Sequence, residues 1–439
     1  MSTNKLQSQL ARFSLWVFYA LLGYMPLHIF LSTWIGTSVG VLEFAKVAKD
    51  GVLVVGFLAT LGASVTQPWF KQLLRDKLVW LILAYAGLTL LLAAIRPTDQ
   101  DAEILGIVYN TRFLLFFLYG ALLTHLFDAR HVLRNAVKVT LSVAVIVLFF
   151  GIIQYTLLPN NALTHVGYSR TNGVLPAFFI DDKPDLERAM STLRDPNSLG
   201  SYIIIIGSLA LAFLVRTKNR DVRKVATGLF ILSLLCLWYT FSRSAWLGFM
   251  LSAAVIIAAL LAKFKPTLVR YRKQIIVGVV MVMIVGLSSL YALKDSYFVQ
   301  NVVLHADQST TLEDPNQLRI RFWSESTQKI EDNPVGGGPG TAGLASIRNQ
   351  KQGVQLNENY YLQIASEVGI AGLLLFLSIL VVVVARLYKL RHSTLALGLF
   401  AAFVGLAFTN FLVHIWSNEA VAYTWWGLAG LVLYMRSTK

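Results

Sequence analysis

The hydrophobic pattern of the chain is a series of about twelve apolar runs, each near the ~20 residues that a helix needs to cross a hydrocarbon core. They centre on residues 13–34, 47–65, 78–95, 107–126, 139–158 and 199–215 in the first half, and on 226–240, 245–262, 275–293, 370–385, 395–416 and 420–435 in the second. The second run is weakened at its start by Lys46, Lys49 and Asp50. The first run is too long for a removable signal peptide and lacks a small-residue cleavage site, so it reads as an uncleaved span. The pattern predicts an all-α, polytopic integral membrane protein, organised as a single domain over residues 1–439.

Two polar stretches interrupt it, residues 159–197 and 294–357. Both follow odd-numbered spans, so both fall on one face, and long loops of this kind usually carry function. The first is studded with Leu163, Val166, Tyr168, Val174, Leu175, Phe178, Phe179 and Ile180, enough to pack on the membrane domain. It closes with Asp195 and Pro196, which fit an N-cap and first-turn proline for the sixth span. In the second, residues 294–315 read as polar and irregular. Residues 318–330 read as a short amphipathic helix, with Leu318, Phe322, Trp323 and Ile330 able to face the membrane or core and Glu325 spaced to pair with Lys329 on the wet side.

Pro334 ends that helix, and Gly336, Gly337, Gly338, Pro339 and Gly340 permit a tight turn with close backbone approach. No Lys-Ser/Thr follows at the spacing of a nucleotide phosphate loop. A polar linker then leads through Asn357, Glu358, Asn359, Tyr360 and Tyr361 into an apolar helix running to about Leu390.

Composition strengthens the membrane reading: 56% of residues are hydrophobic and 14% charged, against about 25% charged in soluble domains. The net charge of +15 invites a nucleic-acid partner, but its distribution argues otherwise. If both termini are cytoplasmic, the inner loops and termini hold 23 of the 38 basic residues, which is the bias that orients membrane proteins. No nucleic-acid partner is needed. Cys236, the one cysteine, lies mid-span, so no intrachain disulfide can form.

No HExxH or other paired metal-ligand spacing occurs among the seven histidines, and no cofactor is implied. His28 and His414 read as core or interfacial. The outer face offers arginines instead: Arg170, Arg194, Arg243, Arg319 and Arg321. Arg243 sits in a tight turn between two spans, without an acidic neighbour in sequence; Glu419 is a distant candidate partner. Arg112 lies within an apolar run, where either snorkelling beside Tyr109 or a cavity-facing role is open. The carboxylate of Glu358 stands among amide and phenol groups. Arginines suit a diphosphate leaving group, and a carboxylate suits removal of a proton from a sugar hydroxyl. Glu358 could also serve only as an acid favoured at a helix start.

Certain elements carry a resemblance to a known family. They are Arg194-Asp195-Pro196-Asn197, Ser242-Arg243-Ser244-Ala245, Arg319 four before Trp323, and Asn333-Pro334 through Gly340. Asn359-x-Tyr361-Leu362 follows, then Glu367-x-Gly369-Ile370-x-Gly372-Leu373. In this order and spacing the chain resembles the O-antigen ligase and polysaccharide polymerase superfamily of bacterial membrane glycosyltransferases. The resemblance implies a GT-C-like protein of about twelve spans, with a large non-cytoplasmic loop between spans nine and ten, in the bacterial inner (plasma) membrane. It implies transfer of glycan from undecaprenyl diphosphate to a glycan or lipid-linked acceptor, in the making of a surface polysaccharide such as lipopolysaccharide or exopolysaccharide.

By the same resemblance Arg194, Arg243 and Arg319 are diphosphate-binding candidates, with Arg170 an alternative to Arg194. Glu358 is the candidate catalytic base, and Asn359 and Tyr361 are candidate positioning residues. Ligases typically have histidine where Glu358 stands, which favours polymerisation of lipid-linked repeat units over ligation to a lipid, wall or protein acceptor. From other classes, a lipid-linked glycan transporter and a non-catalytic assembly partner remain alternatives; no internal repeat of the kind common in transporters is visible.

Overall fold

The computed structural model describes residues 3–180, 183–262, 281, 288 and 315–435. The apolar run at 275–293, the polar stretch up to 314 and the basic residues Lys263, Lys265, Arg270, Arg272 and Lys273 lie outside the described residues.

The other eleven runs fall on helices. They are α1 (Thr3–Tyr24) with α2 (His28–Val39), α3 (Leu42–Ser64), and, after the short α4 (Phe70–Leu73), α5 (Lys77–Ile95). Then follow α6 (Gln100–Leu126), α7 (Ala129–Leu157), α8 (Pro196–Arg216), α9 (Arg220–Tyr239) and α10 (Arg243–Leu261). The amphipathic α11 (Pro315–Asp332) precedes α12 (Tyr360–Lys389), α13 (Thr394–Thr409) and α14 (Glu419–Tyr434). Among the described residues, eight helical segments are long and apolar enough to cross a membrane, so the protein is an all-α polytopic membrane protein. Pro26 lies in the 3-10 turn joining α1 to α2; the Thr192 hydroxyl donates to its carbonyl at 2.7 Å, tying the first polar loop to that turn.

Polar caps and small residues set the packing. Asp76 caps α5 and also receives both terminal nitrogens of Arg386 at 2.6 and 2.5 Å and the Tyr434 hydroxyl at 2.7 Å, locking α5, α12 and α14 together at one end. Along α6 and α14, Gly120, Gly427 and Gly430 let the backbones approach: a Cβ on Gly430 would collide with the Phe117 carbonyl. Such small-residue contacts are the usual basis of helix association in lipid, where apolar burial gives no net drive. Aromatic rings fill the centre, with Phe113 5.1 Å from Trp426 and Trp416 5.4 Å from Trp425.

At the opposite end the polar loops meet. Arg348 reaches Glu43 at the start of α3, the Lys351 amide donates to Asp99, and the Ala189 amide donates to the Tyr239 carbonyl. The first loop packs as expected: Leu163, Tyr168, Val174 and Met190 form a small core with Ile29, Phe30 and Phe150. It also contains an unexpected antiparallel hairpin, β1 (Phe178–Ile180) against β2 (Lys183–Arg188).

Two expectations are corrected. The helix after Tyr360 is not continuous, because Gly369 takes φ 74 and ψ 179 and breaks α12. The glycine turn fills the break: the Gly337 and Gly338 amides donate to the Ser366 and Glu367 carbonyls at 2.8 and 3.0 Å, and the Ile370 amide donates to the Pro334 carbonyl at 2.9 Å. In α11 the inward face holds Leu318, Phe322, Trp323 and Ile330 as expected, and also the buried Ser326. Lys329, however, donates to Gln355 at 2.9 Å, while Glu325 lies 3.8 Å from Arg321. The folded linker beside α11 offers Lys329 a closer partner than its own helix does.

Candidate functional site

The candidate residues gather at the end that carries the polar loops, in three groups. The first surrounds the start of α8. Asp195 is the expected cap, accepting from the Ser198 amide and hydroxyl, both at 2.8 Å. Beside it Arg188, from β2, donates to the Thr240 carbonyl at 3.0 Å and to Asn197 at 3.1 Å; Ser242 donates to the same Asn197 oxygen at 2.9 Å. Arg243 follows as the first residue of α10. Burial, with the positive charge of Arg243 adding to it and Asp195 opposing, lowers the Arg188 guanidinium to about 10. Arg188 was not singled out by the sequence, since KPDLER reads as an ordinary polar segment.

The second group lines a cavity of about 300 Å³ between α2, α3, α6 and the loops at 173–174, 344–348 and 413–418. Arg194 lines it; Arg170 does not, although Gly173 and Val174 do. Arg170 is exposed in the turn that the Gly173 amide closes onto the Arg170 carbonyl.

The side of this cavity toward the bundle is a set of charges in which Arg112 and Lys49 are buried and Asp50 and Glu419 partly so. Arg112 lies 3.1 Å from Glu419 and 3.5 Å from Asp50, and Lys49 lies 3.2 Å from Asp50 and 3.5 Å from Glu419. Arg112 also donates to the Ser417 carbonyl and stacks over Tyr109, with its central carbon 4.7 Å from the ring centre. Only 3% of its surface is exposed. Arg112 therefore does not snorkel: it closes a four-charge cluster, and two cations against two carboxylates make that burial tolerable. Glu419 belongs to this cluster. His414, in the loop before α14, is half-buried; loss of hydration first, then the charge of Arg194, pushes its pKa down to about 4, so its imidazole is neutral at pH 7.

The third group is at the mouth of α12. Glu358 adopts a left-handed φ of 43, unusual for a residue with a Cβ. Its neighbours hold it there. Asn357 accepts from the Gly343 amide and donates to Ser326, and Asn359 caps α12 by accepting from the Tyr361 and Leu362 amides. Tyr360 donates its amide to the Asn410 carbonyl, and the Tyr361 hydroxyl donates to the Ala407 carbonyl at 3.1 Å. The Glu358 side chain, part-exposed, accepts from Arg319 of α11 at 3.2 Å. The fold thus brings two candidates, Arg319 and Glu358, into direct contact. It uses Asn359 and Tyr361 to anchor the segment between them and α13.

Behind this mouth, the fully buried Glu367 accepts from Asn110 at 2.7 Å and from the Gly340 amide at 2.8 Å. That contact joins α6, the glycine turn and α12. Among the described residues no group of three His, Cys, Asp or Glu side chains could hold a metal.

Residues 228–377 match the family model described as O-Antigen ligase. The matched span begins in α9 and runs through Arg243, Arg319 and Glu358 to the first part of α12 beyond the Gly369 break. Over that span the chain is similar to the O-antigen ligase family. No curated protein matches the chain.

Proposed function

We propose that this chain, which is similar to the O-antigen ligase family over residues 228–377, polymerises polyprenyl-diphosphate-linked oligosaccharide units on the non-cytoplasmic face of a bacterial inner membrane. The observation that carries this reading is the contact between Glu358 and Arg319. A carboxylate able to take a proton and a cation able to hold phosphate stand 3.2 Å apart, on a segment anchored from both sides.

In this mechanism the diphosphate of the donor engages Arg194, Arg243 and Arg319. The lining position of Arg194 supports it over Arg170. Once phosphate oxygens occupy Arg319, Glu358 loses that partner and becomes available as a base. A hydroxyl of the incoming lipid-linked unit attacks the anomeric carbon of the donor. The bond from that carbon to the diphosphate oxygen breaks, the hydroxyl proton passes to Glu358, and polyprenyl diphosphate leaves with its new charge held by the arginines. Asn359 and Tyr361 act by positioning, through the cap of α12 and the bond to Ala407. A second reading, transfer to a separate lipid, wall or protein acceptor, is favoured by the description of the matched family itself.

Purified protein in lipid, given a polyprenyl-diphosphate oligosaccharide alone, should form a gel-resolved ladder. Glu358→Gln should abolish it, a loss of at least about 100-fold for a general base. Transfer seen only when another acceptor is added would replace polymerisation with ligation. A ladder that Glu358→Gln leaves intact would remove the carboxylate from the mechanism.

A further inference from the structure

The cavity beside Arg194 has features that diphosphate binding does not use. Three of its lining side chains present buried polar atoms with no hydrogen-bond partner among the described residues: Nε of Arg112, Nδ1 of His414 and Oγ of Ser417. Arg112 and Ser417 are each 97% buried, with 3% of their surface exposed. An unsatisfied buried polar group is costly, and native folds rarely leave several at one place. Their convergence points to something that supplies partners there.

The electrostatics narrow what that is. Arg112 and Lys49 are balanced by Asp50 and Glu419. Lys46 and Arg348 share Glu43 at the rim. This leaves Arg194 as the lining cation without a carboxylate partner among the described residues. The wall of the cavity toward the bundle, two cations against two carboxylates, is therefore close to neutral, and its unpaired groups are mixed. Arg112 offers a donor, the Ser417 hydroxyl both donates and accepts, and the neutral His414 ring has one donor and one acceptor nitrogen. A second anion would find no net positive charge on that wall, whereas a ring of hydroxyl groups matches mixed donors and acceptors. Leu105, Val174 and Leu344 add apolar surface suited to the C–H faces of such a ring. The volume, about 300 Å³, stands at the lower end of ligand pockets, about 300–1,000 Å³; it fits one or two sugar rings.

We propose that this cavity is a saccharide subsite that holds the sugar nearest the diphosphate, with Ser417, His414 and Arg112 reading its hydroxyl groups and Arg194 marking the phosphate side. The assignment of the phosphate side rests on the proposed function; the saccharide site itself does not require that transfer occurs.

Cysteine protection tests it without any turnover. Cys236 is fully buried, so Cys236→Ala gives a silent background. In that background Ser417→Cys, and separately Leu344→Cys at the rim, are reacted with a small methanethiosulfonate. The probes are citronellyl diphosphate carrying N-acetylglucosamine, galactose or glucuronic acid, and citronellyl diphosphate with no sugar. At least one sugar-bearing probe should slow modification at both positions several-fold more than the sugarless one does. Equal protection by both kinds of probe would make this a phosphate site and overturn the proposal. So would thiols that react freely with every probe present, the result for a cavity holding water alone. Thiols that never react at either position, in protein that elutes as a single species, would show a closed cavity and likewise overturn it. Sugar-specific protection in protein that forms no ladder would leave the subsite standing and remove the polymerase reading.

Discussion

Arg112 shows how a single side chain can be unreadable from its surroundings in the sequence and decisive in the fold. Its neighbours Tyr109 and Phe113 suggest lipid, but its partners Asp50, Glu419 and Ser417 arrive from α3, α14 and the 3-10 turn before α14. Replacing it by methionine keeps the volume and strands two carboxylates beside Lys49 alone. Breaking a buried ion network in this way costs about 3–5 kcal/mol. Arg112→Met should therefore shift the denaturation midpoint in detergent by an amount consistent with that loss. Adding Glu419→Gln should recover part of it, because the second change removes the uncompensated charge. A single-variant effect below about 0.5 kcal/mol, the level of an ordinary surface substitution, would show that the cluster is not structural. The same locality hides Arg188 in the sequence and suggests Lys329 as the partner of Glu325 on spacing alone. Charge pairing across elements leaves no spacing signal, whereas Asp195 followed by Pro196 does, because a cap and its helix are adjacent in the chain.

At the scale of elements, apolar length was the most legible property. Eleven runs became helices because ~20 consecutive apolar residues admit few other structures in a bilayer. The amphipathic face of α11 was legible for a related reason, its 3.6-residue period. The break in α12 was not, since Gly369 needs residues 334–338 to satisfy the carbonyls and amide that the break exposes, and nothing within α12 announces that visitor. In the sequence the glycine turn and the Glu367-x-Gly369 element are separate features, with an unbroken helix expected after Tyr360; the structure makes them one joint.

Gly369→Ala tests that joint. An L-residue is strained at φ 74, and the new Cβ would meet the Val335 carbonyl, so the turn would be expelled and Glu358 displaced with it. The variant should lose more than the ~1 kcal/mol typical of a left-handed residue and most of its transfer activity. Gly228→Ala is the control: it lies within α9 with no atom near its would-be Cβ and should be neutral, or more stable by about 0.5–1 kcal/mol. Equal behaviour of the two variants would mean that the break bears no load.

Across the whole molecule the two ends differ in how their charges are arranged. One end carries Lys71, Arg75, Arg130, Arg134, Arg216, Lys218, Arg220, Arg223, Lys224 and Arg391 in and beside short loops, against Asp76, Asp128 and Asp221. The other end has many cations too, but in long folded loops or paired with acids, as Lys46 and Arg348 are with Glu43 and Lys351 is with Asp99. Orientation follows the lysines and arginines of short loops, while long loops translocate largely regardless of charge. The first end should therefore face the cytoplasm, with the cavity, Arg319 and Glu358 on the far side.

In the Cys236→Ala background, Asn172→Cys at the loop end should react with a membrane-impermeant maleimide once the inner membrane is exposed on intact spheroplasts. Lys218→Cys should react only after the membrane is opened. The opposite pattern would put the site in the cytoplasm, where nucleotide-activated sugars are available. A diphosphate-lipid donor would then lose its main rationale, however well the arginines suit it. The labelling thus decides which donor the arginines at this end can meet, a question that the contacts inside the bundle do not reach.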